Sequence, residues 1–431
     1  MPSKDLSRRR FLGFSATVAG LALVPRRVLG GAGFVAPSET ITRGVIGTGG
    51  QGLGGHVTGP PHTLAVCDVD KNHLANAMKK AGEKCTPYTD FRKLLERKDI
   101  DTVHIATPTH WHAVQCITAA AAGKDILCEK PFTRFIREGQ AVADAVRRYG
   151  RVLQIGTYWR FQAENRRWRR LIASGILGTP VTVRASAKTG YFWKVKMMEG
   201  RMDLKPEPVP AVLDYDMWLG PAPFKPYHPH RVHFTWRNYW DYAGGGLVDM
   251  GEHFLDPIQY WLNKDETSPV EAEAYAPWPQ HPDAVLPFGR VTLKYADGTK
   301  LILESGEWGE QEPGEVPFIE GPKGRIFSPH RRGDNGNLGG KCHSDPPGLL
   351  DEPLAVPEPE PLVNFEQGVR TRRQPGGNAD ASYRCVALMH LGTIACRVGR
   401  KIRFDPVAGK IVGDEEANRF VDLPLRAPWH L

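Results

Sequence analysis

The stretch Ile41-Thr42-Arg43-Gly44-Val45-Ile46-Gly47-Thr48-Gly49-Gly50-Gln51-Gly52 is a short β-branched run that ends in glycines spaced G-x-G-x-x-G. That spacing lets a chain leaving a strand turn sharply and bring its backbone against a pyrophosphate, while the next turn aims free N–H groups at the negative charge. A glycine-rich loop is also an ordinary turn, so its surroundings decide. Residues 64–69, 102–106, 125–128 and 152–155 read as further strands, alternating with helical patterns at 71–81, 90–97, 112–122 and 134–149. The alternation predicts an α/β fold of βαβ units with a parallel sheet covered on both faces. Asp68 stands 19 residues beyond Gly49, at the end of the second predicted strand. A carboxylate there can bond a ribose 2′-hydroxyl and repels a 2′-phosphate, which favours NAD over NADP. Asp68 could instead cap the following helix, a duty that Asp70 suits better. Gly54 and Gly55 weaken the helix behind the loop by about 1 kcal/mol each relative to Ala.

Outward from this segment, 431 residues predict two domains at roughly 150 residues each. Apolar and charged fractions of 41% and 24% exclude a disordered tail or a coiled coil. No run approaches the roughly 20 apolar residues of a bilayer crossing, so an integral membrane protein is not expected. Lys4, Arg8, Arg9, Arg10, Arg26 and Arg27 against Asp5 place +5 of the net +8 in residues 1–30. The remaining +3 gives no reason to expect a nucleic-acid partner. Ser7-Arg8-Arg9-Arg10-Phe11-Leu12 leads into an apolar run at 11–24 that is too short to span a membrane. An amphipathic helix would confine its apolar residues to one face, and here they go all round. The segment resembles a twin-arginine signal, so residues 1–36 are expected to be an export signal and linker read by the twin-arginine machinery, making the protein periplasmic. The cysteine count of seven is odd, and Cys67, Cys116 and Cys128 lie in apolar segments, which predicts buried thiols without disulfides.

Two more segments fall at predicted carboxyl ends of strands, where open α/β sheets bind ligands. They are Ile105-Ala106-Thr107-Pro108-Thr109-His110-Trp111-His112 and Cys128-Glu129-Lys130-Pro131. With Trp218-Leu219-Gly220-Pro221-Ala222-Pro223, Gly244-Gly245-Gly246-Leu247-Val248-Asp249-Met250-Gly251-Glu252-His253 and the stretch 364–431, they resemble the glucose–fructose oxidoreductase / inositol dehydrogenase (Gfo/Idh/MocA) family. The resemblance implies an N-terminal Rossmann dinucleotide-binding domain at 40–157. A C-terminal α+β substrate and oligomerisation domain at 158–400 would follow, built on a large, mostly antiparallel open sheet, then a C-terminal extension at 401–431. Strand-like runs at 181–187, 270–276, 291–295 and 300–304 agree independently, and Asp297-Gly298 is a hairpin turn signal. Residues 381–398 read as a core helix, and the proline-rich stretches 204–229 and 345–361 as surface loops.

Oxidising an alcohol requires a hydride acceptor, a base, and a group that stabilises the alkoxide. Asp249 and His253, four apart on a predicted helix, share one face, where the acid could orient the imidazole and raise its basicity. A solvent-facing pair is the plainer alternative, against which stand the apolar neighbours Phe254, Leu255, Ile258, Trp261 and Leu262. The resemblance makes His253 the residue that moves the substrate proton, with Asp249 binding substrate and assisting. Pro131 biases Lys130 to extended backbone, and the resemblance places its ammonium on the reacting oxygen and the nicotinamide ribose. It also raises the prospect of a cis Lys130–Pro131 bond. With Gly47, Thr48, Gly49, Gly50, Gln51, Gly52 and Asp68, the cofactor-side contacts would be Thr107, Pro108, His110, His112, Glu129 and Lys130.

Tyr158, Trp159, Arg160, Trp236, Arg237 and Trp240 offer aromatic faces and guanidinium forks suited to sugar rings. His228, His230 and His233 are spaced H-x-H-x-x-H, but flanking prolines make a loop without fixed ligand geometry, and no metal is expected from it. The leading expectation is an NAD-dependent oxidoreductase acting on a sugar or polyol, with tightly held nucleotide and assembled as a homo-oligomer. The alternatives are a redox-neutral NAD-dependent glycosidase working through a transient keto-sugar, and a non-catalytic sugar-binding relative.

Overall fold

In a computed structural model describing residues 39–59, 61–276, 280–307, 315–327 and 342–431, the first half of the chain builds a six-stranded sheet. The export signal expected at 1–36 lies outside the described residues. The strands are β1 (Arg43–Ile46), β2 (Thr63–Cys67), β3 (Thr86–Tyr88), β4 (Thr102–Ile105), β5 (Asp125–Cys128) and β6 (Leu153–Ile155). Their order is β3-β2-β1-β4-β5-β6, and every neighbouring pair is parallel. Every residue of β4 and β5 is buried, as covered parallel strands require. β3 was not evident in the sequence because it contains Pro87; it forms the sheet edge, where a missing N–H is tolerated. Strand order reverses between β1 and β4, which opens a crevice at the carboxyl ends of the strands. The helix Lys71–Ala81 starts where expected, with Asp70 accepting from the amides of Asn72 and His73 at 2.8 and 3.2 Å.

The second half builds a nine-stranded sheet from β7 (Thr182–Ala185), β8 (Glu271–Tyr275), β9 (Arg290–Lys294), β10 (Lys300–Glu304), β11 (Ile319–Gly321), β12 (Gly324–Phe327), β13 (His343–Asp345), β14 (Ile402–Asp405) and β15 (Lys410–Ile411). The order is β13-β12-β11-β7-β10-β9-β8-β14-β15; only β7 and β10 pair in parallel. Val291, Leu293, Leu301 and Leu303 are buried while their strand neighbours are half-buried or exposed, the alternation of a sheet covered on one side. Asp297-Gly298 turns β9 into β10, with Gly298 at φ +88°. The helix Ala379–Val398 covers β8 and β9, and its other sides pack on the helices Ile136–Arg148 and Gly245–Trp261. It is buried nearly throughout, so it serves as core for both halves.

One expectation fails here. Residues 204–229 are more than a surface loop: Leu213, Tyr215, Trp218, Leu219, Ala222 and Tyr227 are buried in a small core of their own with Trp236, Tyr239 and Tyr242. Among the described residues no helix is long and apolar enough to cross a membrane. All seven cysteines are free thiols, and Cys67, Cys116 and Cys128 are buried.

Candidate active site

The glycine turn after β1 divides its labour. Gly47 sits at φ +83°, and a Cβ there would lie 2.6 Å from the Thr107 amide nitrogen; one on Gly52 would lie 1.9 Å from the Gly47 carbonyl oxygen. Gly50 faces open space, and a Cβ on Gly49 would first meet the His73 ring at 3.4 Å. Two glycines therefore close the turn while two leave its outer surface bare, the shape that admits a pyrophosphate. Behind the turn the chain makes only a single wide helical turn, Gly52–His56, consistent with the poor helix-forming power of Gly54 and Gly55. Asp68 accepts from the Thr48 amide at 2.7 Å and the Thr48 hydroxyl at 3.1 Å, so it ties the end of β2 to the turn.

A cavity of about 690 Å³ extends from this turn, with Gly47, Gly49, Gly50, Gln51, Asp68, Thr107, Pro108, Glu129 and Lys130 along one side. Tyr158, Trp236, Arg237 and His253 line it from the second half of the chain. The bare glycine surface and this volume fit a nicotinamide dinucleotide. The Glu-Lys-Pro segment after β5 is held from several directions. Glu129 meets His56 Nε2 at 2.8 Å and accepts from Gln51 Nε2 at 3.1 Å. A Cβ on Gly156 would fall 2.9 Å from the Glu129 carboxylate, so a side chain there would push that carboxylate out of its present place. Burial, the largest single influence, would raise the Glu129 carboxyl, but His56, the bond from Gln51 and the Lys130 charge together overcome it and keep the group below the ordinary carboxylate range. The Lys130–Pro131 bond is cis. Lys130 Nζ donates to the Asp249 carbonyl oxygen at 3.1 Å and lies 3.2 Å from Asp249 Oδ1.

Asp249 and His253 lie on the buried helix Gly245–Trp261 but do not form the expected pair. Arg237 Nε donates to Asp249 Oδ1 at 2.8 Å, so the carboxylate serves Lys130 and Arg237 from behind the cavity wall. Burial would raise its pKa, and the two cations overcome that and hold it low. The expected rise in His253 basicity is reversed: burial, then the Lys130 charge, push the imidazole down to about 4. The His253 ring rests on Trp159 with centroids 5.1 Å apart, and its buried Nδ1 has no hydrogen-bond partner among the described residues.

Several other expected contacts sit elsewhere. Arg160 is fully buried, paired with Asp256 and Asp265 at 2.7 Å each, so it is a structural anchor away from the cavity. Trp240 is buried, donates to the His281 carbonyl at 3.0 Å and carries Arg397 on its face. His110 Nε2 meets the Trp218 carbonyl at 2.9 Å, and His112 bridges the Pro131 and Thr107 carbonyls at 2.8 Å each. These two rings brace the loops that line the cavity instead of facing it. His228 and His230 have other partners: His228 Nε2 lies 3.4 Å from the Glu207 carboxylate, and His230 Nδ1 meets the Tyr239 hydroxyl at 2.7 Å.

Two features had no clear signal in the sequence. Glu252 is fully buried and accepts from the Phe132 amide at 2.7 Å, bracing the residue after Pro131; burial pushes its carboxyl up to about 8. The segment ending in the helix Tyr215–Leu219 crosses the end of β2, with Lys71 donating to the Val212 carbonyl at 2.9 Å and Asp214 to the Val69 carbonyl at 3.0 Å. Leu213, Met217 and Trp218 from this strap line the cavity near Asp68.

Comparison with known proteins agrees with this architecture. Residues 41–157 match the model of an oxidoreductase family's NAD-binding Rossmann fold, and residues 161–431 that family's C-terminal alpha/beta domain. The chain is 31% identical over 301 residues to the uncharacterized oxidoreductase YrbE of Bacillus subtilis, covering 68% of this chain and 75% of that protein. It is 30% identical over 151 residues to the inositol 2-dehydrogenase of Salmonella paratyphi B, covering 33% of this chain and 45% of that protein. The crystal structure of the WlbA dehydrogenase from Bordetella pertussis in complex with NADH and UDP-GlcNAcA shares the fold. That match has a TM-score of 0.56 at 17% identity, covering 85% of this chain and 99% of that one. On both of its halves, the chain belongs to the Gfo/Idh/MocA oxidoreductase family.

Proposed function

We propose that this protein transfers hydride between a hydroxyl-bearing carbon of a sugar or polyol and a tightly held NAD. One observation carries the reading: the Lys130 side chain from the dinucleotide domain and the His253 ring from the second domain line the same cavity as the bare glycine turn. Bound nicotinamide would supply the hydride acceptor. His253, held neutral near pH 7, keeps a lone pair to take the hydroxyl proton. The Lys130 ammonium gives one of its three donors to the Asp249 carbonyl oxygen and is held beside the Asp249 carboxylate, leaving donor capacity to stabilise the forming alkoxide. Asp249 and Arg237 are positioning groups for that ammonium, and the Trp236–Arg237 stack at 4.3 Å offers the substrate an aromatic face and a guanidinium fork.

A sugar or polyol substrate is supported by the partial likeness to inositol 2-dehydrogenase. NAD over NADP is supported by the Asp68 carboxylate, which would face a ribose 2′-phosphate with like charge. Tight retention is supported by the strap over the end of β2. It accords with our reading of residues 1–36 as an export signal, since an exported enzyme has no free nucleotide pool to draw on. In the same reading the half-exposed face of the nine-stranded sheet is a homo-oligomer contact.

The test is to denature the purified protein after long dialysis, identify any nucleotide released, and then incubate the native protein with sugars, polyols and glycosides. Stoichiometric NAD(H) together with a keto-sugar or lactone is the expected result. Aglycone release without net oxidation would move the reading to redox-neutral cleavage, and no nucleotide and no turnover would overturn it.

A further inference from the structure

We propose that Asp70, His73 and His233 form a binding site for one divalent transition-metal ion, zinc by the chemistry of the donors, at the rim of the cavity. The three residues each present one ligand atom, and these atoms all lie within 4.8 Å of one another. Asp70 Oδ2 is 3.7 Å from His233 Nε2, and the His73 and His233 rings have centroids 5.0 Å apart. A tetrahedral ion with bonds of about 2.0–2.1 Å holds its donors roughly 3.4 Å apart, so small side-chain adjustments bring all three into range.

The local structure prepares each donor. Asp70 spends Oδ1 on the first turn of the helix Lys71–Ala81 and leaves Oδ2 for another partner. His73 lies one turn along the same helix, with the Asp68 carboxylate 3.7 Å from its Nδ1, a small side-chain rotation short of the hydrogen bond by which an acid orients a metal-bound imidazole. His233 reaches over from the second domain on a backbone at φ +52°, a conformation a non-glycine residue adopts only when its surroundings impose it. Two imidazoles and one carboxylate are a zinc donor set with the fourth position open. His73 and His233 keep enough exposure for an ion to enter. The H-x-H-x-x-H spacing is therefore misleading: one of its histidines joins two residues more than 150 positions earlier.

The experiment uses the full chain without a histidine tag, stripped with chelator and dialysed. Zinc chloride is added in a calorimeter and cobalt chloride is followed by visible absorption, for the wild type and for H73A, H233N and H228N. Asn tolerates left-handed backbone, so H233N removes the imidazole while keeping the local conformation; unfolding curves confirm that each variant folds. The expected result is one ion per chain with the intense d–d absorption of four-coordinate cobalt. H73A and H233N should each weaken binding on the order of a hundredfold, and H228N should leave it unchanged. Absence of saturable binding, equal binding by folded H73A and H233N, or loss of binding in H228N would overturn the assignment.

Discussion

Lys130 and Asp249, 119 residues apart, meet at 3.2 Å and so join a strand end of the dinucleotide sheet to the buried helix of the second domain. Asp249→Asn leaves Lys130 and Arg237 against a neutral amide, and should cost roughly 3 kcal/mol. Because the folded carboxyl is held below its ordinary 3.8, its contribution is present above that pH and lost as pH falls through the folded value. Urea unfolding between pH 3 and 7 should show a flatter acid limb in D249N than in the wild type.

Glu252 should act in the opposite sense. Its folded pKa of about 8 lies above the ordinary 4.5, so the fold retains a proton that the unfolded chain releases, and stability falls as pH rises between those values. The slope is about 1.4 kcal/mol per unit at most. Glu252→Gln keeps an acceptor for the Phe132 amide and should remove this group's share of the slope, the buried Glu138 at about 7 contributing its own, so the two melting-temperature profiles should diverge above about pH 5. Parallel profiles would mean that Glu252 is ionised in the fold.

The glycine turn separates folding from binding. Gly52→Ala places a methyl group 1.9 Å from the Gly47 carbonyl oxygen and should destabilise by more than about 2 kcal/mol. Gly50→Ala meets nothing within 4 Å. It should leave stability within about 0.5 kcal/mol while weakening nucleotide binding roughly tenfold or more, measured by fluorescence titration.

Arg160→Met should damage the fold and leave recognition intact. Removing one partner of a buried ion pair costs about 3–5 kcal/mol, here because Asp256 and Asp265 lose their cation. At a temperature where the variant is still folded, KM should match the wild type.

His253→Gln tests the base. Loss of a general base lowers kcat by about 10²–10⁴, with nucleotide affinity unchanged. The imidazole's folded value of about 4 lies below its ordinary 6.5, so its contribution to stability is lost as pH drops from 6.5 toward 4; with His110 and His390 also held low by burial, the variant should keep a decline over that range but a shallower one than the wild type.

The sequence conveyed most of the first domain because each signal there is local. Glycine spacing, the Asp70 cap and buried β-branched runs act within a few residues of where they are read. The short strands β11 to β15 carry charged residues such as Glu320, Arg325 and Arg403 and have no period to read; their pairing partners define them. The site was half legible for the same reason. Lys130 and His253 each follow a distinctive segment, and both line the cavity. The helical spacing that paired Asp249 with His253 could not show that Lys130 and Arg237 reach the carboxylate first. Arg160 and Trp240 looked like sugar-binding side chains, because composition does not separate a buried guanidinium or indole from an exposed one.

The strap across the end of β2 is fastened by two main-chain hydrogen bonds, Lys71 to Val212 and Asp214 to Val69. If a dinucleotide is held beneath it as proposed, its departure would require a local opening of polypeptide, at a rate set by how often that seam parts. Amide exchange at Lys71 and Asp214 should keep time with dinucleotide exchange, and a charge on Leu213 should quicken both clocks together.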